Sequence, residues 1–142
     1  MKKQNVIERE SETENVITSF LERTTAGDAD GISDLFAEEI DWFVPGSVDL
    51  PWTGRRSKSG DVSVYFRSMW PHFIAGKSEY RPEKIIIKDH DAVVFARFAH
   101  FAKSTGRGFE TEAALHFTIS DGKIVRMHLY EDTLAVSKAF FD

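Results

Sequence analysis

Hydrophobic positions along this chain follow one period in its first half and another in its second. Between residues 12 and 26, Val16, Ile17, Phe20, Leu21 and Thr24 recur three and four apart. That spacing places them on one face of a helix, which Gly27 ends. Asp28-Ala29-Asp30 opens a shorter helix running through Ile32, Leu35 and Phe36. A short strand over 40–44 is halted by Pro45-Gly46, and Pro51-Trp52-Thr53-Gly54 falls in the loop beyond it. A third helix starts near Ser57 or Ser59, with Asp61 in its first turn favouring the helix dipole. It buries Val62, Tyr65, Phe66, Met69 and Trp70 and stops around Pro71.

From residue 79 the period becomes two. A strand over 79–88 has the apolar centre Ile85-Ile86-Ile87, and Asp89-His90-Asp91 joins it to a meander over 92–103, 109–120 and 123–131. The meander's turns are Ser104-Thr105-Gly106-Arg107-Gly108 and Ser120-Asp121-Gly122. Asp-Gly between β-branched runs is a hairpin signal, because both residues tolerate the positive φ that a twist-matched turn needs. The last strand runs into Glu131-Asp132 and a short docking helix carrying Leu134, Ala135, Ala139 and Phe140. With no repeat or linker, the order ααβαββββ describes one α+β domain over 1–142, whose first ten residues are expected to be flexible or frayed.

Composition narrows the function classes. The 142 residues carry a formal charge of −5 and no cysteine. Disulfides, thiolate metal sites and cysteine nucleophiles are therefore excluded, in keeping with a reducing compartment. Without a Lys/Arg cluster, nucleic acid is not an expected partner. No stretch approaches the ~18 apolar residues of a membrane span, so a cytoplasmic protein with no membrane partner is expected. Aromatics make up 13% of the chain, with 12 Phe and 3 Trp, which suits a cavity lining as well as a plain core.

Ala26-Gly27-Asp28-Ala29-Asp30-Gly31, Asp41-Trp42-Phe43-Val44-Pro45-Gly46, Pro51-Trp52-Thr53-Gly54, His116-Phe117 and Asp121-Gly122-Lys123-Ile124-Val125, closing on Tyr130-Glu131-Asp132, together resemble the SnoaL-like, ketosteroid isomerase-like branch of the nuclear transport factor 2-like superfamily. The resemblance implies a cone-shaped, cystatin-like fold. Three helices would pack on a curved, mixed, mainly antiparallel sheet that encloses a pocket, and two copies would pair through the sheet's outer face. It does not fix a reaction, since one fold hosts many. Where steroid isomerases of this fold carry catalytic groups, the chain has Phe20, Val44 and Leu115, so that chemistry is not expected. Where related epoxide hydrolases place an Asp-Arg-Asp set, it has Phe98, His100 or Ala102 on one strand and keeps only Asp132. Related polyketide cyclases are similar in holding an acid/base aspartate near that terminal position.

If Leu115 and Phe117 face the cavity, as the resemblance implies, strand alternation assigns the other faces. Phe98, His100 and Ala102 then point inward, as do Thr111 and Ala113 and, on the last strand, Met127, Leu129 and Glu131. Arg97, Glu112, His116, Arg126, His128 and Tyr130 point outward. His100 is a general acid or base oriented by Glu131 or Asp132, or else a core histidine satisfied by backbone or water. Asp132 is a proton carrier, a helix N-cap, or both. Glu131 belongs to the pocket or is solvated at its mouth. Phe20, Trp42, Val44, Trp52, Phe98, Leu115, Phe117, Met127 and Leu129 complete the expected pocket, with Trp52 a lid or a loop anchor and Trp70 in the core. The histidines show no metal-ligand spacing, so neither metal nor cofactor is expected. A cofactor-independent isomerase, cyclase or dehydratase acting on a small hydrophobic ring compound, with His100 and Asp132 as acid/base pair, fits these features. The alternative is a non-catalytic ligand-binding or adaptor domain.

Overall fold

The computed structural model describes residues 4–141; Met1, Lys2, Lys3 and Asp142 lie outside the described residues. Helix α1 (Val6–Thr25) begins earlier than the periodicity predicts, because Asn5 caps it by accepting from the Glu8 amide. Its first turns are held by tertiary bonds to the turn at Asp89. Arg9 Nε donates to the Asp89 carboxylate, Thr13 Oγ1 to the Asp89 carbonyl, and the Asp89 amide to Glu10. Residues 6–10, expected to fray, are therefore helical.

Helix α2 (Ala29–Ser33) is shorter than predicted, and Phe36 opens strand β1 (Phe36–Val44) instead of closing the helix. Long-range pairing decides this: the Ile124 amide donates to the Leu35 carbonyl, and Phe36 lies opposite Ile124. A second strand, β2 (Gly54–Lys58), has no apolar alternation to announce it and forms by antiparallel pairing with β1. Helix α3 (Gly60–Met69) follows, then a 3-10 turn over Trp70–His72.

The remaining strands fall close to where the period of two places them: β3 (Glu79–Lys88), β4 (Asp91–Phe101), β5 (Gly108–Ser120) and β6 (Lys123–Glu131), before helix α4 (Thr133–Phe140). Asp121 and Gly122 both take positive φ, as the tight hairpin requires. The six strands form one sheet in the order β2-β1-β6-β5-β4-β3, with only β1 and β6 parallel. Pro82 is accommodated on edge strand β3, at a register shift.

One sheet face packs against the helices. Phe20 of α1 meets Phe117 of β5 at 4.9 Å between ring centroids and Phe66 of α3 at 6.5 Å. The opposite face mixes ion pairs with the exposed rings of Phe95, Phe101 and Tyr130. Arg97 bridges Glu110 and Glu112, Asp41 accepts from Arg126 and His128, and Asp91 bonds His116 and Thr118. β4 and β5 pair without a register shift from Asp91 to Phe101, so the inward and outward sets read from alternation hold along both strands.

Candidate functional site

Between the inner sheet face and the helices lies a cavity of about 320 Å³, the liquid volume of roughly ten waters. β1 contributes Trp42, β4 Phe98 and His100, β5 Leu115, and β6 Met127, Leu129 and Glu131. α1 adds Phe20, and Trp52 reaches in from the loop before β2. These are nine of the expected pocket residues, brought together from five elements and a loop.

Three expected residues stand outside the wall. Phe117 is consumed by the core beneath Phe20. Val44 is fully buried beside the junction with β2, opposite Gly54. Asp132 is exposed, and its Oδ1 accepts from the Ala135 amide, capping α4. Its own amide donates to Thr111 Oγ1. The anticipated His100–Asp132 hydrogen bond is absent among the described residues.

His100 is held differently. Its Nδ1 bonds Ser78 Oγ at 2.8 Å, and its ring stacks on Phe73 with centroids 4.0 Å apart and planes within 8°. Burial alone pushes its pKa down to about 4, leaving it neutral at pH 7. Glu131 moves in the opposite sense. It keeps part of its surface accessible, but it lines the cavity, and burial raises its pKa to about 7, with the Asp132 charge adding to the effect. Among the described residues no cation pairs with it. Glu131 is therefore a carboxyl that can hold or release a proton near neutrality, placed in an apolar wall rather than solvated at a mouth.

Trp52 is 3% exposed, with its ring against His72, Phe73 and Phe140. It thus anchors the loop to the tail helix and lines the cavity. Trp70, expected in the core, is also a lining residue. Sequence reasoning missed Phe73, Ser78, Tyr80, Phe109 and Val136 as lining residues, and read Tyr65 only as a buried helix position. Tyr65 alone carried a readable signal, as a hydroxyl on an otherwise apolar helix face. Its phenol is buried, and burial with the nearby Glu131 charge holds it protonated. No group of three or more His, Asp or Glu is placed to hold a metal ion among the described residues. No described helix is long and apolar enough to cross a membrane.

Fold and site together define a small α+β domain enclosing an apolar pocket, with an imidazole and a proton-retaining carboxyl in its wall. The chain belongs to the SnoaL-like domain family, which it matches over residues 17–127. Among solved structures it is similar to a nuclear transport factor 2-like protein from Burkholderia xenovorans LB400, with 23% identity over 91% of this chain and 95% of that one, TM-score 0.76. It is similar to a proposed SnoaL-like polyketide cyclase from Jannaschia sp. CCS1, with 16% identity over 98% and 96%, TM-score 0.72. A proposed isomerase from Rhodopseudomonas palustris aligns with 19% identity over 98% of each chain, TM-score 0.68. At these identities the likeness shows a shared fold. No match was found among curated proteins.

Proposed function

We propose that the protein binds a small, hydrophobic, ring-containing molecule in this cavity and moves a proton on it without a cofactor, as an isomerase, cyclase or dehydratase would. Glu131 carries the proton. Its placement is the observation that carries the reading: a carboxyl poised near pH 7 inside an aromatic-lined pocket fits general acid/base work, and such a pocket strengthens electrostatic effects by excluding water. Asp132 does not touch the ligand in this reading; its charge sustains the proton affinity of Glu131 while it caps α4. His100, neutral and fixed by Ser78, orients a polar group of the ligand. Relatives named for isomerisation and polyketide cyclisation on the same fold make this chemistry class the natural one to test. The same reading pairs two copies through the outer face of the sheet, where the exposed rings of Phe95, Phe101 and Tyr130 lie among the ion pairs.

Turnover of a panel of cyclic ketones, enols and epoxides by the wild type and by Glu131→Gln tests this. A loss of roughly 10²- to 10⁴-fold in kcat, with the variant folded and ligand affinity retained, is expected. Tight ligand binding with no wild-type turnover across the panel would replace catalysis with the binding-domain reading.

A further inference from the structure

Two half-buried polar residues, His100 and Glu131, stand at separate places in the cavity wall. The His100 ring is fixed on three sides: Ser78 Oγ bonds its Nδ1, Phe73 stacks on one face, and Phe109 lies 5.5 Å away between centroids. Its Nε2 is left over. Among the described residues, the polar side-chain atoms that are both sealed from solvent and without a partner are Trp42 Nε1, Arg56 Nε and Tyr80 Oη. His100 Nε2 and the Glu131 carboxyl oxygens are not of that kind, and no described residue hydrogen-bonds them either. They are unpartnered because they open onto the cavity, where a guest can reach them.

The sheet sets the distance between them. Ala96, Ala113 and Glu131 lie in one row across β4, β5 and β6, and His100 is four residues along β4 from that row. At about 4.8 Å per strand and about 3.3 Å per residue, the two Cα atoms are roughly 16 Å apart on the diagonal. Hydrogen bonds of about 2.8 Å at each end leave a gap on the order of 10 Å, so one oxygen does not reach both groups. The lining next to each is apolar: Phe98 is two residues from His100, and Leu129 two residues from Glu131.

Charge and size narrow the guest further. The wall contains Glu79 and Glu131 but no Lys or Arg among the described residues, so an anionic guest would meet like charge and no counter-ion. A volume of about 320 Å³ is at the low end of small-molecule sites, roughly 300–1,000 Å³, and suits two fused rings better than four. A protonated carboxyl donates or accepts, and a neutral imidazole nitrogen does one or the other according to its tautomer. A hydroxyl satisfies either.

We infer that His100 Nε2 and the Glu131 carboxyl form a two-ended site for a neutral fused bicyclic molecule with an oxygen at each end, a diol or a hydroxyketone. His100 is the specificity-determining residue for the oxygen remote from Glu131. This rests on the reading of the cavity as a ligand site and deepens it, because it names the spacing of polar groups that the site selects.

The experiment compares 2,6-dihydroxynaphthalene with 2-naphthol, which differ by the second, distant hydroxyl, and hydroquinone with phenol, whose oxygens are too close together to span the site. Affinities are measured for wild type and for His100→Phe, which keeps a ring to stack on Phe73. In the wild type the second hydroxyl of the naphthalene diol should tighten binding about tenfold, and in His100→Phe by only about twofold, the statistical advantage of a symmetric diol. Hydroquinone should gain no more than that statistical factor over phenol. In the wild type, the naphthalene diol should also shift the His100 Nε2 nitrogen resonance and the Glu131 carboxyl carbon resonance in the same complex, a measurement that stands even where His100→Phe fails to fold. An equal gain in wild type and variant, an equal gain for hydroquinone, or an Nε2 resonance indifferent to the diol would overturn the two-ended site while leaving the cavity as a ligand site. Failure of the wild type to bind any of the four compounds would overturn both readings.

Discussion

Replacing Glu131 by Gln perturbs a carboxyl that the fold makes markedly reluctant to ionise, and the consequence for stability follows from proton linkage. The folded-state pKa is about 7 against an ordinary 4.5. Between those two values the native state binds more protons than the unfolded one, so stability is fully present below pH 4.5 and is lost as pH rises through 7. At about 1.36 kcal/mol per unit of pH, the wild type gives up at most about 3 kcal/mol across that interval. Gln fills the same space without titrating. The stability of Glu131→Gln relative to wild type should therefore rise by up to about 3 kcal/mol between pH 5 and pH 8. His100 works in the other direction, because its folded pKa lies below its ordinary value. It destabilises the fold as pH falls from 6.5 towards 4. Burial alone moves His100, so its contribution is common to both proteins and cancels in the difference. Urea unfolding at pH 5, 6, 7 and 8, at one protein concentration, measures that difference. A gap that stays constant across the range would refute the claim that Glu131 is held protonated by its surroundings.

Asp132→Asn should lower the titration midpoint of Glu131, read by carboxyl carbon NMR, while leaving the melting temperature nearly unchanged. The charge beside Glu131 is lost, but Asn still caps α4; an unmoved midpoint would remove Asp132 from the site's electrostatics. On the outer face, Arg97→Glu removes the cation that Glu83, Glu110 and Glu112 share and sets a fourth like charge among them. If two copies pair through this face, sedimentation should show the variant shifted towards monomer at micromolar concentration. A wild type that sediments as a monomer there would dismiss the interface.

What could be learned from residue order alone was whatever depends on local period and turn chemistry. Once the family resemblance turned Leu115 inward, alternation put Phe98, His100, Met127, Leu129 and Glu131 on the same face, because side chains two apart on a strand share a side, and the unshifted β4–β5 ladder preserved that reading. Asp121-Gly122 set the hairpin register through its backbone preferences. Where pairing partners are distant in sequence, local patterns were silent. β2 has no amphipathic signature and exists because β1 offers it hydrogen bonds, and Phe36 is a strand residue because Ile124 lies opposite it. The division of labour among the acidic residues was equally tertiary. Glu131 and Asp132 are neighbours in the chain, but the end of β6 turns one into an apolar cavity and the start of α4 turns the other outward to cap a helix. Burial, which no single sequence position encodes, then gave the first its proton near neutrality.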